Sequence, residues 1–322
     1  MTMIDARSPA DPFAEIDLYR PTRVDVPSAW YGHVPFGHWL VGAVRPDLLV
    51  ELGTHNGVSF SSFCDAVIAA GLPTTCYAVD TWAGDFQAGE YGEDVWVDWS
   101  AFCARRYGDF THLLRTTFDE AAEQFSPGSI DLLHIDGLHT YEAVRNDVDR
   151  WLPKVSSRGV VIMHDIAERD REFGVWRVWD ELKAAYPSFE FHHEHGLGVL
   201  AVGADVPEAL RPFVEADETE ASRLRARFAA AGERLKLDEE RLDLHRRLAQ
   251  SYRDREAEME RAQQYESETS AEATALRGQV GRISAENEAL QAQIRELRTS
   301  TSWRVSAPVR AAGSVVAKLK GR

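Results

Sequence analysis

From Asp47 to Val202, short apolar runs alternate with stretches whose apolar residues recur every three or four positions. The runs Leu48–Leu52, Thr75–Asp80, Thr111–Arg115, Asp131–Ile135, Gly159–His164, Phe189–His193 and Gly198–Val202 have the length of strands. Val58–Ala70, Tyr141–Trp151 and Val175–Tyr186 carry the helical period. Apolar runs of this kind are strands buried on both faces, and regular alternation with helices implies parallel pairing through crossovers. The pattern predicts an α/β fold with a seven-stranded, mostly parallel sheet covered on both sides by helices. The last two runs meet across His195-Gly196, too short a link for a crossover, so they should form a hairpin with one antiparallel strand. Residues 1–45 read as a lead-in with an aromatic cluster at Trp30, Tyr31, Phe36 and Trp39, and residues 46–204 as the α/β domain.

Near Val206 the pattern changes. Residues 215–298 lack proline and are rich in Glu, Arg, Ala and Leu. Leu276, Val280, Ile283, Leu290, Ile294 and Leu297 are spaced alternately by four and three once Asn287 is counted, which is a heptad seam. An earlier seam runs Leu224, Phe228, Ala231, Leu235 and Leu242, out of phase with the first, so a stutter is expected at 255–275. A polar helix of this length gains little without a packing partner. The expectation is a long α-helical coiled coil over 215–298 that forms a homodimer, the Asn at a seam position favouring two strands.

Composition narrows the function classes. The chain has 322 residues, a net charge of −16 and 44% hydrophobic residues, enough for a full domain with a sizeable core. The acidic balance argues against general nucleic-acid binding. Cys64, Cys76 and Cys103 show no metal spacing and fit reduced core thiols of a cytoplasmic protein. Met1–Arg20 lacks the character of a signal peptide, and no apolar run is long enough to span a bilayer. After Glu296 no acid occurs, while Arg298, Arg304, Arg310, Lys318, Lys320 and Arg322 are basic. With Trp303, Val305, Val309, Val315, Val316 and Leu319 as apolar anchors, residues 299–322 read as a basic amphipathic tail. Two partners stay open for it: an anionic membrane at the inner face, or a docking site on another enzyme.

Two segments carry the candidate chemistry. Glu51-Leu52-Gly53-Thr54-His55-Asn56-Gly57 ends an apolar strand in an acid and a Gly-x-x-x-Gly turn, where the backbone can approach a nucleotide-type ligand. The next strand ends in Asp80, whose carboxylate can accept both hydroxyls of a ribose, as in Rossmann-like sites. The second segment, His134-Ile135-Asp136-Gly137-Leu138-His139, places an Asp and a His at another strand end, and Met163-His164-Asp165 follows at the next. Adjacent strands lie about 5 Å apart, so Asp136 and Asp165 can reach one ion. Two carboxylates with a His or waters suit Mg²⁺ or another hard divalent cation, with His164 a further candidate ligand. His139 is the candidate general base, because imidazole titrates near neutrality. Asp147, on the following helix, reads as solvated or salt-bridged. His33 reads as a roof over an acceptor pocket with Trp82 or as a packed side chain, and Glu172-Phe173-Gly174-Val175-Trp176 as an acceptor lid or a buried aromatic face.

Glu51-Leu52-Gly53-Thr54, Val79-Asp80-Thr81-Trp82 and Gly84-Asp85 with Tyr91-Gly92 resemble class I S-adenosylmethionine (SAM)-dependent methyltransferases. The closer resemblance, over residues 28–202, is to a subgroup of bacterial polysaccharide gene clusters that occurs with glycosyltransferases. It implies that Glu51, Gly53, Thr54 and Gly57 line the methionine and ribose end of SAM, that Asp80 with Thr81 holds the ribose, and that Thr116–Phe118 lie near adenine. The Asp136, His139 and Asp165 set also resembles metal-dependent macrolide-sugar O-methyltransferases, although His164 stands where that family tends to have a carboxylate. Together these imply a SAM-dependent O-methyltransferase acting on a sugar hydroxyl in surface polysaccharide or glycoconjugate biosynthesis. The acceptor would be a sugar or glycan, and a glycosyltransferase a candidate partner. The alternative is a catalytically vestigial scaffold that organises a glycan assembly complex through its coiled coil.

Overall fold

The computed structural model describes residues 13–320 apart from Asp25, Ala88 and Arg171. It falls into two units, residues 1–243 and 244–322. The first unit holds a seven-stranded sheet of β1 (Leu48–Leu52), β2 (Thr75–Asp80), β3 (Thr111–Arg115), β4 (Ile130–Ile135), β5 (Val155–His164), β6 (Ser188–Phe191) and β7 (Leu197–Ala201). Its order is β3-β2-β1-β4-β5-β7-β6. The first five strands are parallel, and β7 lies antiparallel between β5 and β6. This is the mostly parallel, Rossmann-like sheet and hairpin that the apolar pattern predicts. The runs were short at β5, which begins at Val155 because Ser156–Arg158 extend it past a register irregularity beside Ile130.

Helices packed on the sheet include α1 (Val34–Val44), α2 (Val58–Ala70), α3 (Glu93–Tyr107), α4 (Phe118–Ala122), α5 (Tyr141–Trp151) and α6 (Val175–Lys183). One core lies on the face of α1 and α2 and includes Trp30, Phe36, Phe60 and Phe63. The other includes Trp151, Val148, Val178 and Trp179 from α5 and α6. The aromatic lead-in is thus part of the domain: Trp30 is buried edge-on to Phe63.

A long helix, α7 (Glu218–Thr299), follows. Its first seam is used within the first unit. Leu224, Phe228, Ala231 and Leu235 are buried, and Phe228 packs on Phe36, Trp39 and Phe213. This accounts for the two phases along the helix: the first seam faces the domain. In the second unit the later seam is solvent-facing, with Leu276, Val280, Ile283, Leu290, Ile294 and Leu297 all at least 49% exposed. Ser300 caps α8 (Thr301–Val305), accepting the Trp303 N–H at 3.2 Å, and α9 (Ala307–Lys320) completes the chain. The Arg310 guanidinium stacks 3.8 Å from the Trp303 ring centroid. The side chains of Val315, Val316, Lys318, Leu319 and Lys320, and all of Arg322, lie outside the described residues. Among the described residues no helix is long and apolar enough to cross a membrane.

Candidate functional site

The sheet order reverses direction between β1 and its two neighbours, and a crevice opens outside the strand ends at such a point. Here it is a cavity of about 550 Å³, lined from the ends of β1, β2, β4 and β5. The chain leaves β1 through Gly53, at φ 87°. A Cβ there would stand 1.9 Å from the Asp136 carbonyl oxygen, so only glycine fits. Gly57, at φ 75°, opens α2, and a Cβ on it would meet the Trp99 ring at 2.3 Å. Both glycines of the motif are therefore required by left-handed backbone and close contact.

Asp80 clamps this loop. Its Oδ2 accepts the His55 N–H at 2.9 Å and its Oδ1 accepts the Trp82 N–H at 2.8 Å. It lines the cavity together with Thr54, Gly57 and Thr81. The Thr54 hydroxyl is buried and has no hydrogen-bond partner among the described residues. Glu51 is placed differently. Its side chain is fully buried, off the cavity lining, and its Oε2 lies 2.9 Å from His134 Nδ1 on the neighbouring strand.

The ends of β4 and β5 bring Asp136, His139 and Asp165 together. Their candidate ligand atoms all lie within 4.8 Å of one another. His139 Nε2 stands 2.8 Å from Asp165 Oδ2 and 3.7 Å from Asp136 Oδ1. Neither ring nitrogen makes an aligned hydrogen bond among the described residues, although both are buried. Asp165 has φ 61°, an uncommon conformation for a residue with a Cβ that is found at sites where placement outweighs strain. His164 stands behind the carboxylates: its Nδ1 is 3.4 Å from Asp136 Oδ1 and 3.5 Å from Asp165 Oδ1, and its Nε2 faces the Glu194 carbonyl at 3.1 Å.

The electrostatics follow from this packing. Burial alone would lower the pKa of His139, but the Asp136 and Asp165 carboxylates overcome it and push the imidazole up to about 9. Burial likewise opposes the charge on His164, and Asp136 and Asp165 raise it. Burial would raise Asp165, yet His139 and His164 bring it down to about 2. Asp136 is lowered for the same reason, against its own burial. Carboxylate and imidazolium charges thus favour one another across the cluster.

Several neighbours were not foreseen. Gln87 sits in the loop of a small ribbon, Gly84–Asp85 against Gly89–Glu90, and its Oε1 accepts the His139 N–H at 2.9 Å. Phe173 stacks on the His139 ring, with centroids 4.9 Å apart and planes at 12°. Of the two readings for Glu172–Trp176, this contact fits a cover over the base candidate. His33 is fully buried and off the cavity lining, with Nε2 3.3 Å from the Glu194 carbonyl oxygen. Trp82 is also buried and off that lining. Asp147, expected at the surface, is 6% exposed and lines the cavity. The sequence held a signal for it: Val144, Val148 and Trp151 form the buried stripe of α5, and Asp147 falls within that stripe.

Residues 50–166 match the family of sequences described as a methyltransferase domain. A methyltransferase domain occupies this part of the chain. The match begins in β1 and ends one residue past Asp165, so it contains the glycine loop, Asp80 and the whole Asp136, His139 and Asp165 cluster. A protein of Sinorhizobium fredii (strain NBRC 101917 / NGR234), described as uncharacterized protein y4gI, is 47% identical over 221 residues, 68% of this chain. The aligned part is 24% of that protein, so this chain spans about a quarter of its relative's length. Solved structures of similar topology include the SAH-bound methyltransferase PaMTH1 of Podospora anserina, 12% identical over 59% of this chain and 85% of that chain, with a TM-score of 0.41. The O-methyltransferase TomG of Streptomyces achromogenes, from tomaymycin synthesis and in complex with SAM, is 13% identical over 56% of this chain and 82% of that chain, with a TM-score of 0.41.

Proposed function

We propose that this chain transfers the methyl group of SAM to a sugar hydroxyl during the assembly of a bacterial surface polysaccharide or glycoconjugate. The observation that carries the reading is the position of the acid–histidine cluster. Asp136, His139 and Asp165 open onto the same cavity as the glycine loop and Asp80. SAM would lie against Gly53, Thr54 and Gly57, with its ribose on Asp80. Each Asp80 oxygen accepts only one backbone N–H and keeps a lone pair for a ribose hydroxyl. The Thr54 hydroxyl, buried without a partner, is free for the same ligand.

The donor set suits a divalent cation such as Mg²⁺: two carboxylates, with buried imidazole nitrogens that lack aligned partners beside them. Asp136 and Asp165 would hold it, and His164 fixes both carboxylates from behind. A bound cation would supply charge that lowers the pKa of the acceptor hydroxyl. It would also oppose the positive charge on His139, leaving the imidazole neutral and able to take the proton from the hydroxyl. In the transfer the acceptor oxygen attacks the methyl carbon, the carbon–sulfur bond breaks, S-adenosylhomocysteine leaves and His139 holds the released proton. Phe173 and Gln87 keep the imidazole in place through its ring face and its backbone N–H.

We further propose that the exposed seam from Leu276 to Leu297 pairs two copies in parallel, with Asn287 facing Asn287, and that the basic tail places the dimer at an anionic membrane or a glycosyltransferase. Incubation of the chain with methyl-labelled SAM and a panel of glycans, with and without EDTA, tests the function. Label in the sugar fraction supports it. SAM binding without transfer to any glycan would favour another acceptor class, and no SAM binding would favour the scaffold.

A further inference from the structure

Polar groups on the cavity wall formed by α4 and α5 are paired with one exception. Asn146 Nδ2 donates to Asp119 Oδ1 at 3.0 Å, and Arg150 stands 3.5 Å from the same oxygen. The Thr117 hydroxyl accepts the Glu120 N–H in a capping box. Asp147 alone has no hydrogen-bond or ionic partner among the described residues, although it is only 6% exposed. A buried carboxylate without a donor costs several kcal/mol, so such a group either stays protonated or waits for a ligand. Asp147 lines the cavity, as does Phe118. The Phe118 ring packs so closely on Gly137 that a Cβ there would stand 2.3 Å from it.

We propose that Asp147 is the residue that reads the adenine of SAM, bonding the exocyclic amino group and the adjacent ring nitrogen while Phe118 supplies an apolar platform. The inference rests on the reading of the cavity as a SAM site. Its chemistry is a matter of complementarity. A neutral carboxyl presents an acceptor and a donor side by side, and adenine presents an amino donor and a ring-nitrogen acceptor at the same spacing. Burial, helped by the charge of Asp119, pushes the Asp147 carboxyl up to about 7, so the neutral form is available near neutral pH. An adenine at this position would give the one unpaired polar group of the wall its partners. A purine with hydrogen in place of the 6-amino group would leave the carboxyl's acceptor oxygen without a donor.

The test is calorimetric titration of the full chain with S-adenosylhomocysteine and with its analogue that carries hydrogen in place of the 6-amino group. Wild type should prefer the adenine form by about tenfold or more, the scale for a site whose buried polar group is left mismatched. Asp147→Ala should lose most of that preference and bind S-adenosylhomocysteine about tenfold more weakly. Asp147→Asn has nearly the same shape and carries a donor and an acceptor, so it should stay within about threefold of wild type. Unchanged affinity and unchanged preference in Asp147→Ala would overturn the assignment while leaving the SAM site intact. Absence of S-adenosylhomocysteine binding by wild type would instead remove the SAM reading itself, and this inference with it.

Discussion

Two walls of one cavity hold aspartates in opposite states. At the ends of β4 and β5, Asp136 and Asp165 face His139 and His164 at 2.8–3.7 Å, and their carboxyls are held below the usual range. On α5, Asp147 faces no cation, and its carboxyl is raised to about 7. Desolvation opposes the charge of all three, so it cannot explain the difference. The partners do. Desolvation penalises each charge, and only where imidazolium groups stand within contact distance does the charged form win. The first wall can bind a cation or deliver a base; the second can recognise a neutral, hydrogen-bonding ring.

The largest expected effect comes from removing charge at the first wall. Asp136→Asn and Asp165→Asn should each lower methyl transfer by about 10²–10³-fold, the scale of losing a group that acts at the reacting centre, with SAM affinity little changed. His139→Ala should do the same, and steady-state rates beside calorimetric SAM titration separate the two readouts. Variants that keep full activity would make the first wall merely structural.

The pH dependence of stability sharpens the contrast, because the aspartates of the two walls carry opposite signs. His139 is raised from 6.5 to about 9, so its contribution is complete below pH 6.5 and is lost as pH rises through 9. Asp165 is lowered from 3.8 to about 2, so its contribution is present above pH 3.8 and fades as pH falls through 2. Asp147 is raised from 3.8 to about 7, and the folded state therefore loses stability as pH climbs from 3.8 to 7. Asp147→Asn should consequently stabilise the ligand-free protein above pH 7, by on the order of 2–3 kcal/mol, and leave it unchanged near pH 4. Thermal melts at pH 4 and pH 8 measure this; a gain of equal size at both would mean that charge is not the cause.

The smallest effect on the site should come from the helix. Apolar groups repeat the lesson of the aspartates: Leu224 to Leu235 are buried inside the first unit, whereas the seam residues from Leu276 to Leu297 are exposed among the described residues. A cut after residue 243 should turn the dimer into a monomer by light scattering and change SAM affinity by less than about twofold, since no cavity residue is removed. A cut after Val206 would strip Phe228 from Phe36, Trp39 and Phe213 and unfold part of the core.

The sheet was legible because each strand is a continuous apolar run and each crossover keeps the helical period. Gly53, Asp80, Asp136, His139 and Asp165 were legible as cavity residues because strand ends fix their position along the chain. Glu51 was not, since period two decides whether the last residues of a strand face a loop or a core, and here His134 across the pair takes the carboxylate inward. Gln87 and Phe173 come from loops whose approach to His139 is set by tertiary packing, with no local pattern. Asp147 was readable in principle from the stripe of α5, but one acid in an apolar stripe does not say what it faces.

At the first wall a cation should exchange for protons. Calorimetric titration of the full chain with Mg²⁺ at pH 7, repeated in buffers of different ionisation enthalpy, measures ion and proton together. One ion per chain should bind with release of about one proton, and Asp165→Asn should abolish both. Binding that persists unchanged in Asp136→Asn and Asp165→Asn, or no binding at millimolar Mg²⁺ with SAM present, would contradict it.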